Sequence, residues 1–259
     1  MYYCFNSFCE SSHLCLLKKL QRLRTQPNEQ EIINQLTGSP EQIAAGLRVA
    51  AEQGYAEAQT LLGQVLLDGQ GVAVDQVQAL DWFKTASQSD HSMAINMVGR
   101  CIENGWGVAA DPAEAASWYK RAAELGLDWG MYNYANLLAR GSVIPPNRAE
   151  AFRLYHAAAA QGHAKSMNVI GRFVEEGWET PCDLELAADW YRRAAEAGDF
   201  RGQFNHASKL AEQGKDIEAA AWLRQCANTA TLGFKQKMAQ TLLQIGKPAF
   251  VKIAAEILS

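Results

Sequence analysis

The strongest constraint on this chain is an internal repeat with a period of 36 residues. Trp82 and Trp118 are 36 positions apart, and Trp190 follows Trp118 after two further periods of the same length. Glycine, aspartate and alanine positions recur with the same spacing, so that four copies follow one another without a gap between residues 54 and 197. Self-similarity at such a period is typical of solenoid proteins, in which each copy stacks on its neighbours.

Each copy has the pattern of two helices joined by a loop. In the second copy, apolar residues at helical spacing predict a first helix from about Ser92 to Asn104. Gly105 then ends that helix, because glycine tolerates the left-handed conformation of a C-terminal cap. Asp111 is suited to cap the second helix, and Pro112 fits its first turn, where no backbone donor is needed. The sequence therefore predicts an all-α fold of antiparallel helix pairs.

Small residues recur in the middle of the first helices. Gly63, Gly99 and Gly171 hold one repeat position, where glycine costs about 1 kcal/mol relative to alanine. We expect that cost only where the second helix crosses very closely, so a larger side chain at this position should overpack the crossing.

The repeat shortens or breaks off towards both ends of the chain. Trp222 follows Trp190 after 32 residues, which indicates that a fifth copy lacks about four residues of its loop. The predicted organisation is a flanking segment with a short amphipathic helix at 1–27, a partial leading copy at 28–53, four full copies at 54–197, a shortened copy at 198–230 and closing helices at 231–259.

Composition and charge exclude several classes of function. The net charge of −4 does not fit a nucleic-acid binder, and no apolar stretch is long enough to cross a membrane. The basic residues Lys18 and Lys19 follow the apolar N-terminal stretch instead of preceding it, as they would in a secretory signal. We therefore expect a cytoplasmic protein with no metal and no cofactor. The six cysteines form no close ligand pairs: Cys4, Cys9, Cys15, Cys101, Cys182 and Cys226.

One stretch of the second copy resembles the Sel1-like repeat, a relative of the tetratricopeptide repeat. It runs from Gly105-Trp106-Gly107 through Asp111-Pro112 and Trp118-Tyr119 to Gly126. The resemblance covers Ser39 to about Asn228 and implies a right-handed α/α superhelix that acts as an adaptor in a protein complex, often in bacteria. In the third copy, Ser142 and Val143 depart from the expected glycine and valine.

The resemblance also implies where a partner binds, because the first helices of tetratricopeptide-like solenoids line a concave groove. Several first-helix positions that the core does not need fall within about 100° of arc. They carry amide, guanidinium and aromatic groups suited to an extended peptide. The candidate partner-binding residues are Asn96, Arg100, Trp129, Tyr132, Asn136, Arg140, Asn168, Arg172, Arg201 and Phe204.

An ordinary solvated face is the alternative for these positions. The groove is preferred because Trp129 and Tyr132 would otherwise be large exposed apolar groups. The other tryptophans receive different roles. Those that share the position of Trp118 are expected in the core, and Trp106 and Trp178 are expected to pack across copies.

A non-enzymatic adaptor for an unknown protein or peptide is the leading hypothesis, with a monomer favoured. A weak β-lactam or peptidoglycan-related hydrolase, as claimed for some relatives, is the second. Its nucleophile would be Ser117 of a Ser-x-x-Lys motif with Lys120, but no companion Lys-Thr-Gly or Ser-Asp-Asn follows. The third is a structural subunit that assembles through apolar C-terminal residues such as Phe234, Phe250 and Ile257.

Overall fold

The structure, a computed structural model, describes residues 38–258 of the chain. Within that range it contains thirteen α-helices and no β-strand, so the predicted all-α class is confirmed. The amphipathic helix expected near the N-terminus lies outside the described residues. Two compact units divide the described part, one ending at Pro146 and the other beginning at Asn147.

The first unit contains six helices, in which consecutive helices pack against each other. Their bounds are α1 Pro40–Glu52, α2 Ala56–Asp68, α3 Gln76–Ser87, α4 Ser92–Asn104, α5 Pro112–Glu124 and α6 Asp128–Arg140. The second unit contains seven: α7 Arg148–Ala160, α8 Ala164–Glu176, α9 Leu184–Glu196, α10 Phe200–Glu212, α11 Asp216–Thr229, α12 Leu232–Ile245 and α13 Pro248–Leu258.

The repeat assigns these helices to two kinds. The first helices of the five copies are α2, α4, α6, α8 and α10, and the second helices are α3, α5, α7, α9 and α11. The first helix α4 has the predicted bounds and ends at Gly105 with φ of 73°. The carboxylate of Asp111 accepts backbone N–H groups of Ala113 and Glu114 at 3.0 and 2.9 Å, and Pro112 begins the second helix α5. The capping signals read from the sequence are therefore confirmed.

The core of the second copy lies between its two helices, α4 and α5. In α4 the apolar positions predicted for the core are all buried: Ala94, Ile95, Val98, Gly99 and Ile102. The prediction for the repeated tryptophans was wrong, because Trp118 and its equivalents are only half-buried and pack against the edge of the core. The buried aromatic ring is the next residue along the helix, as in Tyr119 and Tyr191, each 1% exposed.

The mid-helix glycines lie at the close crossing that the sequence predicts. A Cβ atom added to Gly99 would lie 2.8 Å from Cε1 of Tyr119, and one added to Gly171 would lie 2.6 Å from Cε1 of Tyr191. Carbon atoms do not approach to such distances without displacement, so the second helix can pack here only because the side chain is absent.

The fifth copy and the C-terminal helices complete the second unit. Only Gln213, Gly214 and Lys215 separate α10 from α11, which is the shortened loop that the tryptophan spacing predicts. The two closing helices are present as α12 and α13. Phe250, which was considered as an exposed assembly contact, is instead 1% exposed and belongs to the core, while Phe234 and Ile257 are half-buried against it.

Candidate partner-binding surface

Two of the candidate binding residues are buried asparagines that join neighbouring copies. Asn96 is 1% exposed, and its Oδ1 accepts a hydrogen bond from Nδ2 of Asn133 at 2.9 Å. Asn168 is 5% exposed, and its Oδ1 accepts from Nδ2 of Asn205 at 2.8 Å. A buried amide with such a partner already forms its hydrogen bond between two stacked copies, and little of it is accessible to an outside ligand. Asn96 and Asn168 therefore lie between copies and do not belong to the exposed surface.

The sequence predicts Asn96 and Asn168 as binding residues because it leaves the whole arc of about 100° on each first helix open to a partner. In each of these pairs, the acceptor belongs to one first helix and the donor to the first helix of the next copy, 37 residues later. The neighbouring helix therefore covers one side of the arc. The periodicity of a single helix gives no information on this cover, because it depends on how successive copies stack.

In the first unit, the remaining candidates surround aromatic rings of α6 and of the loop after α4. The rings of Trp129 and Tyr132 meet edge to face with centroids 6.3 Å apart. The guanidinium carbon of Arg100 lies 5.3 Å from the ring centroid of Trp106. Asn136 is half-buried, and Arg140 is exposed in the last turn of α6. These residues combine aromatic faces with a cation held against one of them.

In the second unit, Arg172 repeats the arrangement of Arg100. Arg172 is exposed, and its guanidinium carbon lies 5.8 Å from the ring centroid of Trp178. Arg148 lies against the same ring at 5.4 Å. We refer to Arg172 and Trp178, with the equivalent Arg100 and Trp106, as the Arg–Trp pairs.

The first turn of α10 carries a second cationic group of the second unit. Exposed Arg201 places its guanidinium carbon 4.6 Å from the ring of Phe200 and 6.0 Å from that of Phe234. The ring of Phe204 meets Phe234 edge to face at 5.6 Å. Arg201 and Phe204 therefore border one aromatic cluster, which α12 completes.

Sequence reasoning did not assign Trp106 and Trp178 to this surface. A signal for both was present, because each follows its arginine by six residues and the two pairs are 72 residues apart. Trp178 contacts Phe173 of its own copy and Arg148 of the preceding copy, whereas Trp106 packs against the core of the first unit.

Carboxylates next to this surface are engaged inside the fold. The hydroxyl of Tyr119 donates to Glu103 at 2.6 Å, and that of Tyr191 donates to Glu175 at 2.6 Å. Burial, together with these carboxylates, raises the pKa of both tyrosines. Partial burial acts to raise the pKa of Glu175, but hydrogen bonds from Lys209 and Tyr191 outweigh it and hold that pKa below its ordinary value. These carboxylates stabilise the crossing of the two helices.

The motif considered for hydrolysis lies on the exposed face of α5. The hydroxyl of Ser117 donates to the carbonyl oxygen of Glu114 at 2.7 Å, as serines in helices commonly do. Lys120 forms an ion pair with Glu124 at 3.8 Å. Among the described residues, no group of three or more His, Cys, Asp or Glu side chains is placed to hold a metal ion. No helix in residues 38–258 is both long enough and apolar enough to span a bilayer.

Comparison with known proteins gives consistent matches. A family model described as Sel1 repeat matches residues 56–91, 92–127, 130–163 and 164–199, more than half of the chain. A Sel1 repeat protein from Oxalobacter formigenes aligns with a TM-score of 0.66 and 22% identity, over 77% of this chain and 89% of that one.

Two further solved structures share the fold. A protective antigen of uropathogenic Escherichia coli displaying an SLR fold has a TM-score of 0.65 and 22% identity, over 97% of this chain and 60% of that one. The immunity protein Pa5087 from Pseudomonas aeruginosa has a TM-score of 0.57 and 15% identity, over 78% and 79%. None of the curated proteins compared matches the sequence. Because the four matched repeats span helices α2 to α9 and cover more than half of the sequence, the chain belongs to the Sel1 repeat family.

Proposed function

We propose that this protein is a non-enzymatic adaptor that binds a protein or peptide through the exposed parts of its first helices. The observation that carries the proposal is the recurrence of the Arg–Trp pairs, in which the guanidinium groups of Arg100 and Arg172 lie over indole rings. Tryptophan, tyrosine and arginine are the residues that most often dominate the binding energy of protein interfaces.

The stacking of these arginines favours binding because it reduces the entropy lost on association. A free arginine side chain loses about 1 kcal/mol or more when an interface fixes its rotamers. A guanidinium group already held over a ring loses less of this conformational freedom when a partner binds. Each indole ring therefore holds its guanidinium group in place before a partner binds.

The charges favour a partner segment that carries carboxylate groups. Arg140, Arg172 and Arg201 are exposed, and a planar guanidinium group forms two parallel hydrogen bonds to a carboxylate. Neighbouring aromatic rings then provide apolar contact area for the rest of the segment. We propose that the protein acts in this way as a monomer in the reducing cytoplasm, where the buried thiols of Cys101 and Cys226 stay unpaired.

The test compares two double variants that remove the same charge. Arg172→Ala/Arg201→Ala changes the proposed surface, whereas Arg153→Ala/Arg224→Ala changes exposed arginines of the second helices. Partners are first identified by cross-linking in the native host, and their affinities for the purified variants are then measured by calorimetry. We expect about a tenfold loss of affinity or more for the first variant and little change for the control.

Two results would contradict the proposal. Equal losses in the two variants would mean that net charge alone attracts the partner. Unchanged affinity in both, with unchanged thermal stability, would mean that the partner binds another face of the molecule.

A further inference from the structure

A pocket of about 400 Å³ opens in the second unit at the shortened loop of the fifth copy. It lies among α9, α10 and α11, where the chain passes from the first helix to the second in only three residues. Its volume is within the range of sites that hold small ligands or single side chains. The lining residues are Ala188, Asp189, Arg192, His206, Lys209, Leu210, Gln213, Lys215 and Glu218.

In the fourth copy the equivalent space is filled by aromatic side chains of the protein itself. The loop residue Trp178 meets Phe173 edge to face with centroids 5.4 Å apart. The ring of Phe173 stacks in turn on that of Phe152 at 5.3 Å. Guanidinium groups of Arg148 and Arg172 lie over the tryptophan. The loop of the fourth copy therefore supplies an indole that completes a cluster between the helices.

None of these rings recurs one period later. Counting 36 residues onward, Ala188 replaces Phe152, Lys209 replaces Phe173 and Gly214 stands where Trp178 would be. Because a phenylalanine has become alanine and the loop is shorter, the space remains open.

The lining has also changed in chemical character. His206 holds a position that is apolar in the four other copies, where it is Leu62, Val98, Tyr134 or Ile170. Its Nδ1 is buried with no hydrogen-bond partner among the described residues, and burial lowers the pKa of its imidazole. Lys209 likewise holds a position that is Val65, Cys101, Leu137 or Phe173 elsewhere. Lys209 has carboxylate partners, whereas the buried Nδ1 of His206 lacks a compensating contact that a ligand can supply.

Two of the three lysine and arginine side chains that line the pocket are already paired with carboxylates, which argues against a site for an anion. Arg192 bonds to Asp189 at 2.5 Å and to Glu196 at 2.8 Å. Lys209 bonds to Glu175 at 2.7 Å and to Glu212 at 3.2 Å. An added carboxylate or phosphate would have to compete with these partners. An aromatic ring can instead pack its face against these cations while their carboxylate partners stay in place.

We propose that this pocket receives one aromatic side chain, tryptophan in first preference, from the partner polypeptide. The incoming ring occupies the space between Ala188 and Leu210, where the repeat places the ring of Phe152 one period earlier. Lys209, Lys215 and Arg192 line the pocket around it. This inference rests on the proposed adaptor function and adds an anchor point to it.

The test uses capped tripeptides with a central tryptophan, leucine or glutamate, titrated into the full-length protein and followed by NMR of the backbone amides. We expect the tryptophan peptide to bind at millimolar concentration, with shifts centred on residues 188–218. The leucine and glutamate peptides, and inorganic phosphate, are expected to give shifts at least several times smaller. Equal or stronger binding of leucine, glutamate or phosphate, or no response to tryptophan, would overturn the proposal.

Ala188→Phe restores the phenylalanine that stands one period earlier as Phe152 and is expected to abolish binding of the tryptophan peptide. Ala157→Phe, at an exposed position of α7, is the matched control and should leave binding unchanged. Lys215→Gln removes one cation from the exposed loop without altering the packing, and a two- to fivefold loss of affinity is expected. Binding that survives in Ala188→Phe, with its fold intact, would overturn the proposal.

The two proposals can fail separately. None of the arginines changed in the test of the adaptor surface lines this pocket. A partner that depends on Arg172 and Arg201 but binds Ala188→Phe with wild-type affinity would sink the pocket and leave the adaptor function standing.

Discussion

The close helix crossing at Gly99 gives the sharpest prediction about stability. In Gly99→Ala, the added methyl group would lie 2.8 Å from Cε1 of Tyr119 and 3.2 Å from Cβ of Trp118. The tyrosine ring is buried, and its hydroxyl is held by Glu103 at 2.6 Å, so it can move away only by giving up that hydrogen bond.

The magnitude follows from three opposing effects. Alanine improves helix propensity by about 1 kcal/mol. Overpacking lowers the free energy of unfolding by about 1–3 kcal/mol, and loss of a hydrogen bond to a carboxylate lowers it by about 1.5–3 kcal/mol. The three effects sum to a net loss of about 1.5–5 kcal/mol for Gly99→Ala, and we expect more for Gly99→Leu. For a chain of this size, each kcal/mol lowers the melting temperature by about 2–4 °C.

Urea unfolding of Gly99→Ala and of a matched control measures this effect. In the control, Gly233→Ala, the added methyl group of α12 would meet no atom within 4 Å, so stability should stay constant or rise. Adding Tyr119→Phe to Gly99→Ala should cost little further, because the hydrogen bond is already lost. If Gly99→Ala were as stable as the wild type, the crossing would be loose and the reasoning wrong.

The buried titratable groups give two predictions of pH dependence. Burial lowers the pKa of His163 to about 4, so the folded state binds fewer protons than the unfolded chain below pH 6.5. The free energy of unfolding therefore falls by roughly 3 kcal/mol as the pH falls from 6.5 to 4. His163→Asn keeps an N-cap side chain and should remove this dependence on pH. An equal slope in the variant would contradict the prediction. Burial raises the pKa of Cys101 and Cys226 to about 12, so their contribution is complete below pH 9 and is lost as the pH rises to 12. Stability measured between pH 9 and 11 should decline less steeply in Cys101→Ala/Cys226→Ala than in the wild type, and no less steeply in a Cys182→Ala control.

The helices could be predicted from the sequence because their signals are local. The caps at Asp111 and Gly105 depend only on residues within a few turns of the chain, and so does the spacing of the apolar residues. The 36-residue period then repeats these signals in each copy. Even the missing residues of the fifth loop could be counted from the spacing of two tryptophans.

The surface was harder to predict because it depends on contacts between copies. The periodicity of α4 leaves Asn96 open to a partner, but the next first helix covers it, and nothing within its own helix indicates this. Trp118 and Tyr119 both recur with the same period on the apolar side of α5, and of the two only Tyr119 is fully buried. Periodicity identifies which positions are equivalent but does not tell which of two adjacent equivalents points inward.

The two buried asparagine bridges restrict how this chain can change in length. They join the second copy to the third and the fourth to the fifth, so complementary surfaces alternate along the sequence. Deletion of the third copy alone would bring Asn96 opposite Val169 and leave a buried amide unsatisfied, at about 1–3 kcal/mol. Deletion of the third and fourth copies together would bring Asn96 opposite Asn205 and restore a matched bridge. Between the second and fifth copies, a change in length that keeps such a bridge matched therefore comes in steps of 72 residues, twice the structural repeat.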